Sequence, residues 1–246
     1  MLSLFDRQMR RDARPDAPDA KVEHVDGVVR QVSAGGWNGI LWSGLSHDTA
    51  DAAIAAQVAF YGDLGYEFEW KHYAHDQPAD LPERLLAAGF TADEPETLML
   101  ARIDDLALDG PVPDGIELRR VTSPADVDLM MRVHTAAFGT SAEHIRTRLL
   151  AQLDSVVAVV AMAGDEPVSA ARLELHEGTD FASLWSGGTL PEWRGRGLYR
   201  SLVAHRAGIA TERGFRYLQV DASDQSRPIL ERLGFTPVTT TTPYTR

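Results

Sequence analysis

The sequence predicts a mixed α/β protein of two lobes, with helices on both faces of its sheet. Three observations point there. Strand and helix periodicities alternate along the chain, a Pro- and Gly-rich linker divides it near the middle, and a glycine loop at 187–197 sits between a strand and a long helix. A chain of 246 residues is long enough for one large domain or for two smaller ones that each bury a core.

In the first lobe, residues 11–20, rich in Asp, Ala and Pro, read as a tether behind a short N-terminal helix. Val28 to Val32 and Trp37 to Ser43 form strands around a Gly35-Gly36 turn. Ile54, Val58 and Tyr61 keep helical spacing, so a helix falls within His47 to Leu64. Phe68 to Tyr73 is a strand, Leu81 to Ala88 a short helix stopped by Gly89, and Thr97 to Ile103 a closing strand.

Leu108 to Gly115 is the linker, with two prolines and two glycines. Beyond it, Ile116 to Val121 reads as a strand. Ser123 offers an N-cap with Pro124 at the first helical position, and Val127, Met130, Met131, His134 and Phe138 make one helix face. Thr140 to Glu143 is a capping-box pattern opening a second helix, which turns Ile145, Leu149 and Leu153 inward. Val156 to Ala163, Pro167 to Leu175 and Phe181 to Leu190 are strands, the first two joined through Gly164-Asp165-Glu166. Leu198 to Arg213 is a helix with Leu198, Leu202, Val203, Ile209 and Ala210 inward, stopped by Gly214. Phe215 to Asp221 is a strand, Arg227 to Leu233 a short helix, and a strand pair closes the chain from Phe235.

Composition narrows the function. No run approaches the roughly 20 apolar residues that span a bilayer, and the N-terminal apolar run is too short for a signal peptide. Cysteine is absent, which excludes disulfides, thiolate nucleophiles and Cys-based zinc sites. A soluble cytoplasmic protein is expected. The net charge of -12 argues against a nucleic-acid binder. Against this acidic background Arg194, Arg196, Arg200, Arg206, Arg213 and Arg216 crowd one stretch, which suggests a small anionic ligand.

The loop Leu190-Pro191-Glu192-Trp193-Arg194-Gly195-Arg196-Gly197-Leu198 aligns unpaired N–H groups at the positive end of a helix dipole, a natural pyrophosphate cradle. It is neither a Walker loop nor a dinucleotide fingerprint, because the required Gly-Lys-Ser/Thr and the glycine spacing are missing. It resembles the cofactor motif of the GNAT acetyltransferases, Arg/Gln-x-x-Gly-x-Gly/Ala. Pro228 to Phe235, a short helix ending in Leu-Gly-Phe, is similar to that family's second signature. The resemblance covers residues 115–246, the GNAT domain, and extends faintly to a degenerate GNAT-like lobe at 1–107. There Glu83-Arg84-Leu85 leading to Gly89-Phe90 echoes Glu231-Arg232-Leu233 leading to Gly234-Phe235.

The resemblance implies a GNAT fold and transfer of an acetyl or short acyl group from acyl-CoA to an amine. The strands ending at Leu190 and Asp221 are to splay around the pantetheine arm. Backbone groups of Gly188, Thr189 and Leu190 pair with its amides, and the N–H groups of Arg196, Gly197, Leu198 and Tyr199 hold the pyrophosphate. Arg194 takes the first motif position, Gly195 clears the backbone, and Arg196 and Arg200 meet nucleotide phosphates. The Gly187-Gly188 doublet suits either a strand bulge or tight packing. Two departures stand out. Tyr199 replaces the last small residue, and Leu230 stands where the family often has a proton-donating tyrosine. No carboxylate is evident on the strand before the loop. Glu174, His176, Asp221 and Ser223 are left as weak candidates for the proton chemistry.

Other sites fare worse. His72, His75 and Asp76 do not make a metal set, since His72 and His75 point to opposite faces of a strand. Trp37, Trp42 and Trp70 read as core, and no Gly-x-Ser-x-Gly elbow is present. The rival reading is a non-catalytic acyl-CoA-binding or regulatory module. Expected partners are a small-molecule or peptide amine, with no nucleic acid and no membrane, the acidic balance favouring a cationic acceptor. A monomer with two pseudo-dimeric lobes is one possible assembly.

Overall fold

The computed structural model describes residues 1–109, 111–139, 143–151, 153 and 157–246. Its strands are β1 (Lys21–Val25), β2 (Val28–Val32), β3 (Gly39–Ser43), β4 (Glu69–Tyr73), β5 (Thr91–Ala92), β6 (Glu96–Arg102), β7 (Ile116–Arg120), β8 (Val157–Ala163), β9 (Glu166–Leu175), β10 (Phe181–Thr189), β11 (Tyr217–Ala222) and β12 (Thr236–Thr245). The helices are α1 (Leu2–Phe5), α2 (Ala50–Leu64), α3 (Leu81–Ala87), α4 (Pro124–Phe138), α5 (Glu143–Ala151), α6 (Leu198–Glu212) and α7 (Arg227–Leu233). Two compact units form, residues 1–100 with 221–228 and 236–246, and residues 101–220 with 229–235.

The first unit is a sheet in the order β1-β2-β3-β4-β12-β6. β1, β2 and β3 are antiparallel neighbours, and β4 returns parallel to β3 after the α2 crossover. The last strand of the chain, β12, lies between β4 and β6 and is antiparallel to both. Ile54 and Tyr61 of α2, Leu81 and Leu85 of α3, and Trp70 of β4 fill the core. The Tyr61 hydroxyl is satisfied inside it, donating to Gln31 O at 2.8 Å. Behind α1 the chain continues as a wider π-helical turn, Asp6–Arg11, which buries Arg10. The Arg10 guanidinium grips both oxygens of Asp76 (2.8 and 2.7 Å), so charge as well as apolar area docks this segment. Trp70 is core, whereas Trp37 and Trp42 are only half-buried.

The second unit orders its strands β11-β10-β9-β8-β7. β7 to β10 are antiparallel, and β11 is parallel to β10 after the α6 crossover. Ser123 caps α4 as expected, accepting from Asp126 N–H. Leu149 of α5 is fully buried, with Ile145 and Leu153 packed beside the same core.

Several sequence expectations are corrected. β1 had no counterpart in the reading, because Lys21-Val22-Glu23-His24-Val25 carries too few apolar residues to stand out. The closing strand pair is a single ten-residue strand with an irregularity between Pro237 and Thr239. The buried face of α4 runs through Val127, Met130 and Val133, and Phe138 is 50% exposed, because the helix's last turn rides past the core. Arg206, counted with the basic cluster, is only 1% exposed. The Thr140–Glu143 capping box and the first residue of the strand at Val156 reach outside the described residues.

Candidate functional site

The site begins with a fault in β10. Its pairing with β9 is regular to Trp185↔Arg172 and resumes at Gly188↔Ala170, so β10 carries one extra residue there. This is a bulge, and Ser186 takes a positive φ of 51° to make it. The neighbouring glycines allow close packing as well. A Cβ on Gly187 would lie 2.9 Å from Cε2 of Tyr199, and one on Gly188 would lie 3.0 Å from Cε2 of Phe138. The ring that replaces the small motif residue thus sits where Gly187 has no side chain. Burial raises the Tyr199 phenol pKa.

Two side chains brace the bulge: Arg206, read in the sequence only as one of the basic cluster, and Ser169, which no sequence signal marked. Arg206 donates to Arg172 O at 2.9 Å and, at the long limit of 3.5 Å, to Trp185 O, while its Nε donates to Leu202 O at 3.0 Å. Burial pulls its pKa down to about 10, so the protein tolerates a desolvated cation to hold these carbonyls. Ser169 Oγ donates to Gly188 O at 2.7 Å. Helical periodicity places Arg206 on the inner face of α6, the one signal that could have found it. β11 pairs with β10 only through Phe181↔Tyr217, Ala182↔Leu218 and Ser183↔Gln219, so the pairing stops before the bulge.

Past the bulge, Leu190 N–H donates to Val168 O at 3.0 Å. Alternation along an antiparallel strand then turns the backbone of Thr189, rather than of Gly188 or Leu190, away from β9. A single 3-10 turn, Pro191–Trp193, leads to the glycine loop, and Arg194 Nε ties back to Thr189 O at 3.2 Å. Gly197, at φ 83°, opens α6, and the first helical bond runs from Ser201 N–H to Gly197 O at 3.0 Å. The N–H groups of Leu198, Tyr199 and Arg200 precede that bond and lie at the positive end of the helix dipole. A Cβ on Gly195 or Gly197 would meet nothing within 4 Å, so space in front of the loop is open and the left-handed backbone is what calls for glycine. Arg196 lies over the Trp193 ring at 4.5 Å. Arg200 donates to Ala107 O at 3.3 Å and to Asp109 O, and a hollow of about 180 Å³ lies beside Arg196, Gly197 and Ser201. An anion-sized cradle with backbone donors and cationic flanks fits a pyrophosphate.

The candidates for proton chemistry are each engaged. Glu174 is paired with Arg172 at 3.0 Å and Arg148 at 3.4 Å. His176 is half-buried, with Nε2 2.6 Å from Ser183 Oγ, which donates to Gln219 at 2.5 Å; desolvation lowers its pKa. Asp221 accepts from Lys71 Nζ at 2.6 Å. Ser223 O accepts from Ser226 and Arg227 N–H at the start of α7, and Leu230 is fully buried. His72 packs edge-on to Tyr244, and His75 meets Asp6 at 3.0 Å. Among the described residues, no group of three or more His, Cys, Asp and Glu is placed to hold a metal, and no helix is long and apolar enough to cross a membrane.

The fold has counterparts among known proteins. No curated protein matches the chain in sequence. In structure it is similar to a GCN5-related N-acetyltransferase from Kribbella flavida, with 16% identity and a TM-score of 0.71 over 92% of this chain and 89% of that one. It is similar to a functionally unknown conserved protein from Staphylococcus epidermidis, with 16% identity and a TM-score of 0.69 over 94% and 95%. A tandem GNAT protein from the clavulanic acid biosynthesis pathway aligns with 15% identity and a TM-score of 0.63 over 95% and 84%. The fold is therefore that of the GNAT proteins along nearly the whole chain. Residues 127–235 match the model of the acetyltransferase (GNAT) family, and the chain carries a GNAT acetyltransferase domain.

Proposed function

We propose that the protein is an acyl-CoA-dependent N-acyltransferase that moves an acetyl or short acyl group to an amine. One observation carries the reading: a bulged β10 leads directly into a glycine-opened helix start flanked by Arg194, Arg196 and Arg200. The backbone of Thr189, the one of these three residues turned away from β9, takes the pantetheine arm, and the N–H groups from Arg196 to Tyr199 take the pyrophosphate. Arg200 would exchange its linker carbonyls for phosphate oxygens, a stronger charge-assisted partner. Acyl-CoA supplies a thioester whose thiol, with an ordinary pKa of about 8.5, leaves readily as thiolate. The protein's task is then to orient the thioester, polarise its carbonyl with backbone donors and take a proton from the amine.

The first hundred residues form a degenerate GNAT-like lobe without a nucleotide site of its own, in a cytoplasmic protein acting on a cationic small molecule or peptide. Leu230, buried where a proton donor would stand, favours a second reading, an acyl-CoA-binding module without turnover. Free thiol released from acetyl-CoA in the presence of spermidine, kanamycin or a lysine peptide separates the two. Amine-dependent release supports transfer. Tight acetyl-CoA binding with no release supports the binding module.

A further inference from the structure

The bulge and fork of β10 have a counterpart wholly inside the first unit. β3 pairs with β2 as Val29↔Trp42 and then Arg30↔Ile40, so Leu41 is one extra residue in β3, a second bulge. On its other edge β3 meets β4 in parallel only at Gly39↔Glu69 and Ile40↔Trp70, although the strands run on to Ser43 and Tyr73. The two strands thus part at the bulge, as β10 and β11 part ahead of theirs.

In the first unit the chain itself fills this fork. Arg10, on the π-helical turn of the N-terminal segment, is 2% exposed, and each of its three guanidinium nitrogens has an acceptor. Nε donates to the carbonyl of the bulged residue, Leu41 O, at 3.1 Å. One terminal nitrogen donates to both oxygens of Asp76, at 2.8 and 2.7 Å, and the Tyr73 N–H holds that carboxylate in place at 3.0 Å. The other donates to Asp6 at 2.8 Å and lies 3.3 Å from Nε2 of His75. The guanidinium carbon sits 4.0 Å from the centre of the Tyr73 ring, and Phe5 packs edge-on to the same ring at 6.0 Å.

We propose that the fork between β3 and β4 is a guanidinium-binding site, and that the N-terminal segment is its resident ligand, seated through Arg10. Asp6 travels with the segment; the bulge carbonyl, Asp76, His75 and the Tyr73 ring belong to the unit that receives it. Asp76 is only 7% exposed, so this carboxylate is buried and aimed at its cation rather than at solvent. Acceptors set around the edge of a planar cation, with an aromatic face beneath it, match the fixed donors of a guanidinium and not the compact charge of an ammonium. The ligand class is therefore a guanidinium on an alkyl stem, the side chain of arginine. Being part of the chain, Arg10 meets the fork at high effective concentration, so the intact protein excludes other guanidinium compounds.

The test withdraws the ligand and offers a substitute. Arg10→Ala removes the guanidinium and two carbons of its stem, which N-ethylguanidinium replaces. The variant leaves Asp76 buried without its cation, and its melting temperature should fall by about 6–20 °C. N-ethylguanidinium at tenfold above its Kd should restore about 3 °C or more. Ethylammonium should restore little, and neither compound should raise the melting temperature of wild type, whose site is full. Arg11→Ala, altering an exposed neighbour, should show neither the loss nor the rescue. Calorimetry with N-acetyl-arginine amide should find one site per chain in Arg10→Ala and none in wild type. If Arg10→Ala does not fold alone, folding with N-ethylguanidinium and not with ethylammonium supports the site equally. Rescue by neither compound, or by both alike, overturns the proposal and reduces Arg10 to an ordinary ion pair. None of these outcomes bears on acyl transfer, which thiol release from acetyl-CoA decides separately.

Discussion

Helix α2 of the first unit and helix α6 of the second have the same length and the same ending, yet their first turns carry opposite charge. Each runs 15 residues and is followed by a left-handed glycine, Gly65 at φ 69° and Gly214 at φ 84°. Each is closed by an aromatic N–H reaching back five residues, Tyr66 to Tyr61 O and Phe215 to Ala210 O, both at 3.0 Å. Each then feeds a strand parallel to the one before it. The likeness continues through α3 and α7, seven residues apiece, closed by Phe90 N–H to Leu85 O at 3.1 Å and Phe235 N–H to Leu230 O at 3.0 Å.

The helix starts differ. α2 follows Ser46-His47-Asp48-Thr49, where Thr49 Oγ1 accepts from Ser46 N–H, and its first turn carries Asp51. Carboxylates there complement the dipole and repel phosphate. α6 follows a glycine loop with two arginines, Arg194 and Arg196, and its first turn carries a third, Arg200, and no acid. On the proposed reading, a handful of residues at one helix start is what separates a unit that takes acyl-CoA from one of similar build that does not.

The broadest test of this contrast is stoichiometry. Calorimetric titration with CoA should give close to one site per chain; two sites would show that α2 also binds. Next come the paired leucines. Leu85→Ala and Leu230→Ala, both fully buried in the intact protein, should each cost about 2–5 kcal/mol in urea denaturation. In an active protein, Leu230→Ala should leave every limb of the pH–rate profile in place. A lost alkaline limb would break the view that position 230 only packs. The smallest effect separates backbone strain from binding. Gly65→Val and Gly197→Val both force a β-branched residue into the left-handed region, at about 1–2 kcal/mol each. Only Gly197→Val should also weaken CoA binding, by about tenfold or more, with Gly197→Asn, which suits the left-handed backbone better, as the folding control. Equal CoA affinity in the two valine variants would reject the loop as the pyrophosphate site.

Local signals were legible in the sequence because their physics is local. Gly214 and Gly234 stop helices through their own backbone freedom, Ser123-Pro124 starts one, and the spacing of Gly195 and Gly197 before a long helix marks the proposed anion cradle without any tertiary contact. The repeated Gly-Phe endings likewise announced a second lobe of similar build.

Tertiary structure alone decided what depends on residues far apart in sequence. The insertion of β12 between β4 and β6 comes from strand pairing across more than 130 residues, which no periodicity encodes. Arg206 reads as one more surface cation until α6 turns it onto the carbonyls of Arg172 and Trp185. Glu96 falls just outside the strand that the sequence predicts at Thr97 to Ile103. Its raised proton affinity arises from burial beside Asp221 and Lys71, which lie 125 residues ahead of it and 25 behind. Helix ends, turns and caps are energies of a few neighbouring dihedrals, and one sequence displays them. Burial, ion pairing and strand exchange are energies of the assembled core, and they exist only once the chain has folded.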